Sequence, residues 1–305
     1  MKLLAVDGNS IVNRAFYGIR PLSSPSGIPT NAIYGFINMV DRLKKETQPD
    51  AIAVAFDVKQ PTFRHEMYDE YKAGRHASPD ELRQQIALLK DLLTDFGIAV
   101  VTCPGYEADD ILGTLARKCE QDGWDCVVYT GDKDSFQLVS DNVTVYWPKS
   151  GPGGTQNIVY DTAKIAEEFQ GLTPEQMIDL KALQGDNSDN IPGVPGIGPK
   201  TAISLISKYG SIENIYADID ALDEKDGVKN KLRAGMESAA FSKTLGTICR
   251  DAPIDVELED LYPKEPDRAI VSEDLHALGL NRFIEQWDID NETPDKEENN
   301  TDDIR

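Results

Sequence analysis

The sequence predicts an α/β fold, a mostly parallel central sheet flanked by helices, followed by a C-terminal all-helical domain with a helix-hairpin-helix. Three observations carry this. Short apolar runs recur and each ends abruptly at an aspartate, amphipathic helical patterns lie between them, and beyond about residue 170 the pattern is mostly short helices. Runs that are hydrophobic on both faces read as buried strands, and alternation with helices implies parallel pairing.

Leu3–Val6 is the first run and ends at Asp7-Gly8-Asn9. Ile33, Phe36, Ile37, Val40 and Leu43 then mark one face of a helix, and Ala51–Phe56 is a second strand ending at Asp57. The next helix is expected to start at Ser78, with Pro79 in its first position and Glu81 completing a capping box. Its stripe is Leu82, Ile86, Leu89, Leu93 and Phe96, and Gly97 ends it. Ala108, Ile111, Leu112 and Leu115 define another helix that stops near Gly123. Cys126–Tyr129 is a third strand, leading to Asp132, and Val143–Trp147 with Asn157–Tyr160 reads as an edge hairpin around a Gly/Pro-rich turn. The capping box Thr173-Pro174-Glu175-Gln176 opens the helical part. The expected division is 1–172 as the α/β domain, 173–287 as the helical domain, and 288–305 as an acidic, disordered tail.

Ligands of parallel sheets bind beyond the carboxyl ends of the strands. Asp7, Asp57 and Asp132 all belong there, and Glu107, Asp109, Asp110, Asp134, Asp186 and Asp189 fall at similar element ends. Nine carboxylates do not gather without cations to hold them. Such a cluster suits a two-metal site in which water attacks a phosphodiester in line. Oxygen ligands without nearby His or Cys favour Mg²⁺, with Mn²⁺ as a substitute, over zinc.

Residues 60–77 are basic and aromatic, carrying Arg64, Tyr71, Lys72 and Arg75 directly after Asp57. Tyr71 and Arg75 would share a helix face, with Lys72 beside it, so a helical segment could lower cations onto a phosphate and a ring onto a base. Gly193, Gly196, Gly198, Lys200 and Thr201 form a hairpin leading into a helix, a sequence-independent clamp for a phosphate backbone.

The net charge of −22 argues at first against a nucleic-acid partner. With the nine carboxylates and the six net negative charges of 288–305 set aside, only −7 remains. A local basic strip can act on such a protein because the Debye length is about 8 Å at physiological salt. Four cysteines lack CxxC spacing, three histidines are too few for a zinc hydrolase, no apolar run approaches the ~20 residues of a membrane span, and the start meets Asp7 too soon for a targeting segment. A reduced, cytoplasmic protein without a membrane partner is expected.

The stretches LAVDGNS, AFDVKQPTFRHEMYDEYKAGR, PGYEADDILGTLA, TGDKDSFQLV and LQGDNSDNIPGVPGIGPKTA resemble the 5′-nuclease (flap endonuclease) family, found at the N-terminus of bacterial DNA polymerase I and as free-standing 5′–3′ exonucleases. The resemblance covers about residues 2–287 and implies a PIN-like fold with a helical arch at about 60–96. It implies Asp57, Glu107, Asp109, Asp110 and Asp132 around a first metal, with Asp7 organising its water. Asp134, Asp186 and Asp189 would hold a second, Asp132 lying between both. It implies Lys72 and Arg75 as catalytic cations on the scissile phosphate beside Asp132 and Asp134. Arg64 would be an upstream phosphate contact, Tyr71 a stacking ring, and 193–202 a duplex clamp assisted by K⁺. The implied activity is cleavage at 5′ flaps, nicks and RNA-primer ends, leaving 5′-phosphates, by a monomer that works either alone or beside a separate polymerase. A PIN-like ribonuclease is the enzymatic alternative, against which the duplex clamp speaks.

Overall fold

The computed structural model describes residues 1–75, 77–151 and 154–290. The tip of the expected edge turn at 152–153 and the tail from 291 onward lie outside the described residues. The chain opens with β1 (Lys2–Asp7), α1 (Gly8–Gly18), α2 (Asn31–Thr47) and β2 (Ala51–Ala55). Next come α3 (Phe63–Met67), α4 (Asp80–Asp95), β3 (Ala99–Val101), α5 (Ala108–Asp122) and β4 (Asp125–Tyr129). A 3₁₀ turn over Lys133–Leu138 leads to β5 (Val143–Gly151) and β6 (Gly154–Tyr160).

The sheet order is β3-β2-β1-β4-β5-β6, parallel except for the last pair. Strand order reverses between β1 and β4, the crevice where such sheets hold ligands. Asp7 ends β1 in register with Ala55, two residues before Asp57, and the neighbouring Val6 pairs with Tyr129, three before Asp132. Along β1 the side chains alternate between two cores. Leu3 and Ala5 pack with Ile111, Leu112 and Leu115 of α5, whereas Leu4 and Val6 pack with Ile33 and Phe36 of α2 and Leu89 of α4.

Among the elements not anticipated from the sequence are α1 and β3. The helix α1 follows β1 without a linker because Asp7, still in the strand, also caps it through Ser10 N. The strand β3 is only three residues long, below the length at which a pattern emerges. The expected cap at Ser78 is also displaced. Pro79, in an extended conformation, is the N-cap of α4, and no side-chain cap bond forms there. The carbonyl of Ser78 accepts Arg83 instead, at 3.0 Å.

The chain continues through α6 (Thr162–Glu168), α7 (Gln176–Gln184), α8 (Pro199–Tyr209), α9 (Ile212–Ala217), α10 (Asp226–Ala234) and α11 (Met236–Gly246). Leu180, Leu183, Val194, Ile197, Leu205, Ile206 and Leu232 give the last five a core of their own. The chain then returns to the sheet. Ile248, Leu258 and Leu261 join the α5 face, while α12 (Arg268–Ala277) and α13 (Asn281–Trp287) bring Val271, Leu275 and Phe283 to the α2 face. The span 173–287, expected as one helical unit, is therefore shared among three cores, its own and those on the two faces of the sheet. Ile289 is packed on the α2 face, so the start of the expected tail is ordered. All four cysteines are free thiols, and no helix among the described residues is long and apolar enough to cross a membrane.

Gly193 is where the hairpin backbone crosses the end of α7. Its φ is +62°, and an added Cβ would lie 2.3 Å from Gly185 N, which is rigid main chain. Gly193→Ala is expected to destabilise the fold by more than about 1 kcal/mol, read as a lower urea midpoint with an unchanged slope.

Candidate metal centre

The first group of carboxylates stands at the reversal of strand order. Asp7 is buried, and its oxygens accept Ser10 N at 2.9 Å and Thr130 Oγ1 at 2.8 Å. Burial, reinforced by Asp57 and Asp132, pushes its carboxyl up to about 7 against those hydrogen bonds. Thr130 also accepts from Asp132 N at 3.0 Å, so one hydroxyl ties the β1 and β4 ends together. Asp57 accepts Ala108 N at 2.7 Å, which docks the start of α5 onto the end of β2.

The acidic triple at the head of α5 splits into three different roles. Asp110 is fully buried and its oxygens are occupied. They accept Arg64 Nη1 and Nη2, each at 2.8 Å, Glu107 N at 3.0 Å and Cys249 N at 2.8 Å. Asp110 is thus the partner of a buried guanidinium, which corrects its expected place among the metal ligands. Asp109 is the opposite case. Its Oδ1 is buried with no hydrogen-bond partner among the described residues, and burial beside Asp110 pushes its carboxyl well above the ordinary range. A buried acceptor without a donor fits a cation ligand. Glu107 accepts Lys72 Nζ at 2.6 Å on Oε1 and Tyr71 Oη at 3.0 Å on Oε2.

The second group is supplied from both domains. Asp134 in the 3₁₀ turn and Asp186 and Asp189 after α7 each present an oxygen within 4.8 Å of the others. The Lys181 side chain from α7 lies among them, paired with Asp134 and 2.9 Å from Asp186. Burial, opposed by Lys181, leaves Asp134 raised to about 6. Asp186 suffers less from burial, and Lys181 with two Ser188 bonds draws it down to about 2. Asp132 influences both Asp7 and Asp134, so the two groups form one continuous field. The cleft that Asp132, Asp134, Lys181 and Asp186 line encloses about 690 Å³. All-oxygen donors that repel one another suit a hard divalent cation.

The cationic segment departs from expectation. Residues 69–74 are turns, not a helix, because Lys72 adopts a φ of +57° and its N–H donates to Asp189 O at 3.0 Å. Arg64 is only 2% exposed; besides Asp110 it donates to Glu107 Oε2 at 3.3 Å, Leu245 O at 2.9 Å and Thr247 O at 2.8 Å. It pins α3 to α5 and to the end of α11, so it is unavailable to a phosphate. Tyr71 is buried, edge-on to His65, with its hydroxyl on Glu107, and cannot stack on a base in this arrangement. Lys72 and Arg75 do reach the carboxylates, Arg75 by pairing with Asp189.

In the hairpin, Gly193 is buried; its N–H donates to Ser242 Oγ at 2.9 Å and its carbonyl accepts Ser238 Oγ at 2.6 Å. Gly193 is therefore a packing residue, not part of a binding face. Gly196, Gly198 and Lys200 are exposed and Thr201 half-buried. Gly196 is left-handed at φ +82°, and Gly198 caps α8 with open space around it. Sequence reasoning missed Lys181, Thr130 and Lys231. Lys231, whose Nζ donates to Gly196 O at 3.0 Å, belongs to the basic run 225–233, which was the available signal. For Lys181 the signal was a lone cation among the apolar residues of α7, five before Asp186.

Residues 2–170 match the family described as 5′-3′ exonuclease, N-terminal resolvase-like domain, and residues 172–269 match 5′-3′ exonuclease, C-terminal SAM fold. DNA polymerase I of Bacillus caldotenax is 44% identical over 97% of this chain, which spans 33% of that relative. Among solved structures, the bacteriophage T5 5′-exonuclease with bound divalent zinc is 25% identical, with a TM-score of 0.67 over 91% of this chain and 100% of the phage protein. A T5 flap endonuclease pseudo-enzyme-product complex with DNA and metal ions, at 22% identity, has the same fold, with a TM-score of 0.66 over 95% of this chain and 99% of that one.

Two outcomes follow from the site. Arg64→Met leaves the Asp110 carboxylate buried and unpaired, an arrangement that costs about 3–5 kcal/mol, so a large fall in the urea midpoint is expected; a loss below about 1 kcal/mol would contradict the pin. Folded, metal-free protein holds protons on Asp7 to about pH 7 and on Asp134 to about pH 6, above the ordinary 3.8. Their contribution is present below pH 3.8 and is lost as pH rises through the folded values. A divalent ion takes the deprotonated forms. Between pH 6 and 8 the Tm gain on adding Mn²⁺ to EDTA-treated protein should increase, and an equal gain at both would contradict the assignment.

Proposed function

Because the chain belongs to the 5′-3′ exonuclease family, we propose that it is a structure-specific 5′-3′ exonuclease and 5′ flap endonuclease. It spans only about a third of the DNA polymerase I that it matches. The proposed substrates are DNA with 5′ flaps, nicks or RNA-primer ends, met in replication and repair. The observation that carries the reading is the meeting of Asp134, Asp186 and Asp189 within 4.8 Å, beside Asp132 at the carboxyl edge of the sheet. Two elements of different domains bring these carboxylates together, and Asp134 and Asp186 line one cleft with Asp132.

Asp57, Glu107, Asp109 and Asp132 would hold one divalent ion, with Asp7 positioning water, and Asp134, Asp186 and Asp189 the other. Bound Mg²⁺ or Mn²⁺ lowers the pKa of a water and stabilises the entering and leaving oxygens of an in-line displacement. The chain itself contributes placement. Thr130 fixes the Asp7 and Asp132 loops, and Asp57 fixes the head of α5. Lys72 and Arg75 would contact the scissile phosphate, where fixed cations act on developing charge. The exposed Gly196, Gly198, Lys200 and Thr201 would run along a duplex backbone, with K⁺ at their carbonyls and Lys231 adding charge. We place the protein in the cytoplasm, as a monomer working with a polymerase. A ribonuclease of single strands would have no use for such a hairpin.

A 5′-labelled flap gives the test. Asp134→Asn or Asp186→Asn should abolish cleavage in Mg²⁺ while flap binding in Ca²⁺ persists; cleavage that survives both substitutions overturns the two-metal reading. Lys72→Ala should lower turnover about 10²-fold with a smaller change in affinity, and an unchanged rate removes Lys72 from the mechanism.

A further inference from the structure

The carboxylate cleft already holds cations of the protein's own. Lys72 Nζ is 2.6 Å from Glu107 Oε1 and 3.9 Å from Asp189 Oδ2, Arg75 pairs with Asp189, and Lys181 bridges Asp134 and Asp186. Two of these three cations come from the segment 68–75, and the backbone of that segment is hung on the loop 186–191. Lys72 N donates to Asp189 O at 3.0 Å. Asn190 Nδ2 donates to Glu70 O at 2.9 Å and reaches the Glu70 carboxylate at 3.4 Å. Asn190 and Lys72 both have a φ of +57°, a conformation that non-glycine residues hold only when their surroundings enforce it. Asn is among the residues that tolerate it best, and here the left-handed turn aims its amide at the segment.

The oxygens that anchor the segment are those a divalent ion needs. A metal on Glu107 and Asp189 competes with the ammonium and the guanidinium held there, because the like charges would lie within a few ångströms of each other in a partly buried cleft. We infer that metal loading and docking of residues 68–75 are competing states of one switch, and that Asn190 is the positioning residue that holds the segment in register while metal is absent. Displacement frees Lys72 and Arg75, so the side chains that neutralise the empty cleft become the cations available to a phosphate. Such coupling is reciprocal: whatever weakens the docked state must strengthen metal binding by the same factor. Lys181, anchored on the rigid helix α7, stays with the second group and is the cation that metal displaces locally.

The inference rests on the reading of this site as a divalent-metal centre, and its test separates the two. Hydrogen exchange over 68–75 is measured on the full chain in EDTA and in saturating Ca²⁺, without DNA, while calorimetry with Mn²⁺ gives affinity. Ca²⁺ should speed exchange of that segment about tenfold. The double substitution Lys72→Met, Arg75→Met should tighten Mn²⁺ binding about tenfold, in line with typical coupling between sites. Asn190→Gly keeps the left-handed backbone and removes the amide; it should speed exchange in EDTA and tighten Mn²⁺ binding, which a merely destabilised protein would not do. Bound metal that leaves exchange unchanged or slower, or variants that bind Mn²⁺ no more tightly, overturn the switch alone. Absence of Mn²⁺ binding to the unaltered protein overturns the metal-centre reading and the switch with it.

Discussion

Repulsion among carboxylates at the carboxyl edge of the sheet is the constraint that the rest of the structure answers. Asp7 at about 7 and Asp134 at about 6 show how strongly burial and crowding oppose ionisation there. The protein meets this with two kinds of cation. Arg64 is permanent: it is enclosed, forked onto Asp110 and tied to two backbone carbonyls. Lys72, Arg75 and Lys181 are held mainly by the carboxylates themselves. Arg64 also touches Glu107 at 3.3 Å, so the permanent cation reaches both ends of the α5 cap while the others sit on the cleft.

The fold places the charges where they can be shared. Reversal of strand order between β1 and β4 opens a crevice, and Asp7, Asp57 and Asp132 arrive at it from three strand ends. The helical domain completes the cleft, since α7 and the loop after it supply Lys181 and Asp186, with Asp189 beside them. Arg64 couples this second domain back to the first through the end of α11. A single guanidinium thus links the base of the cationic segment, the head of α5 and the interdomain join.

The sheet, the long helices and the carboxylate positions were legible in the sequence because burial on two faces and the abrupt turn to aspartate leave local marks. What stayed hidden was set by partners distant in the chain. Asp110 and Asp109 are neighbours with equal local claims on a metal, yet Cys249 N, 139 residues away, helps to occupy one and not the other. Arg64 reads as a surface cation until Leu245 and Thr247 enclose it. Residues 69–74 have a helical pattern, but Asp189 takes the Lys72 N–H that a helix would have used. Gly193 belongs to a hairpin motif, and only the approach of Gly185 shows that it serves packing.

The central claim is that acidic side chains from both domains share a pair of divalent ions. Crystals soaked in Mn²⁺ and measured at its absorption edge test it most directly. Two anomalous peaks about 4 Å apart are expected, one of them bounded by Asp134, Asp186 and Asp189 with the Lys181 ammonium moved aside. Saturating Mn²⁺ that leaves no peak among these oxygens, with Lys181 still bridging Asp134 and Asp186, would contradict the account.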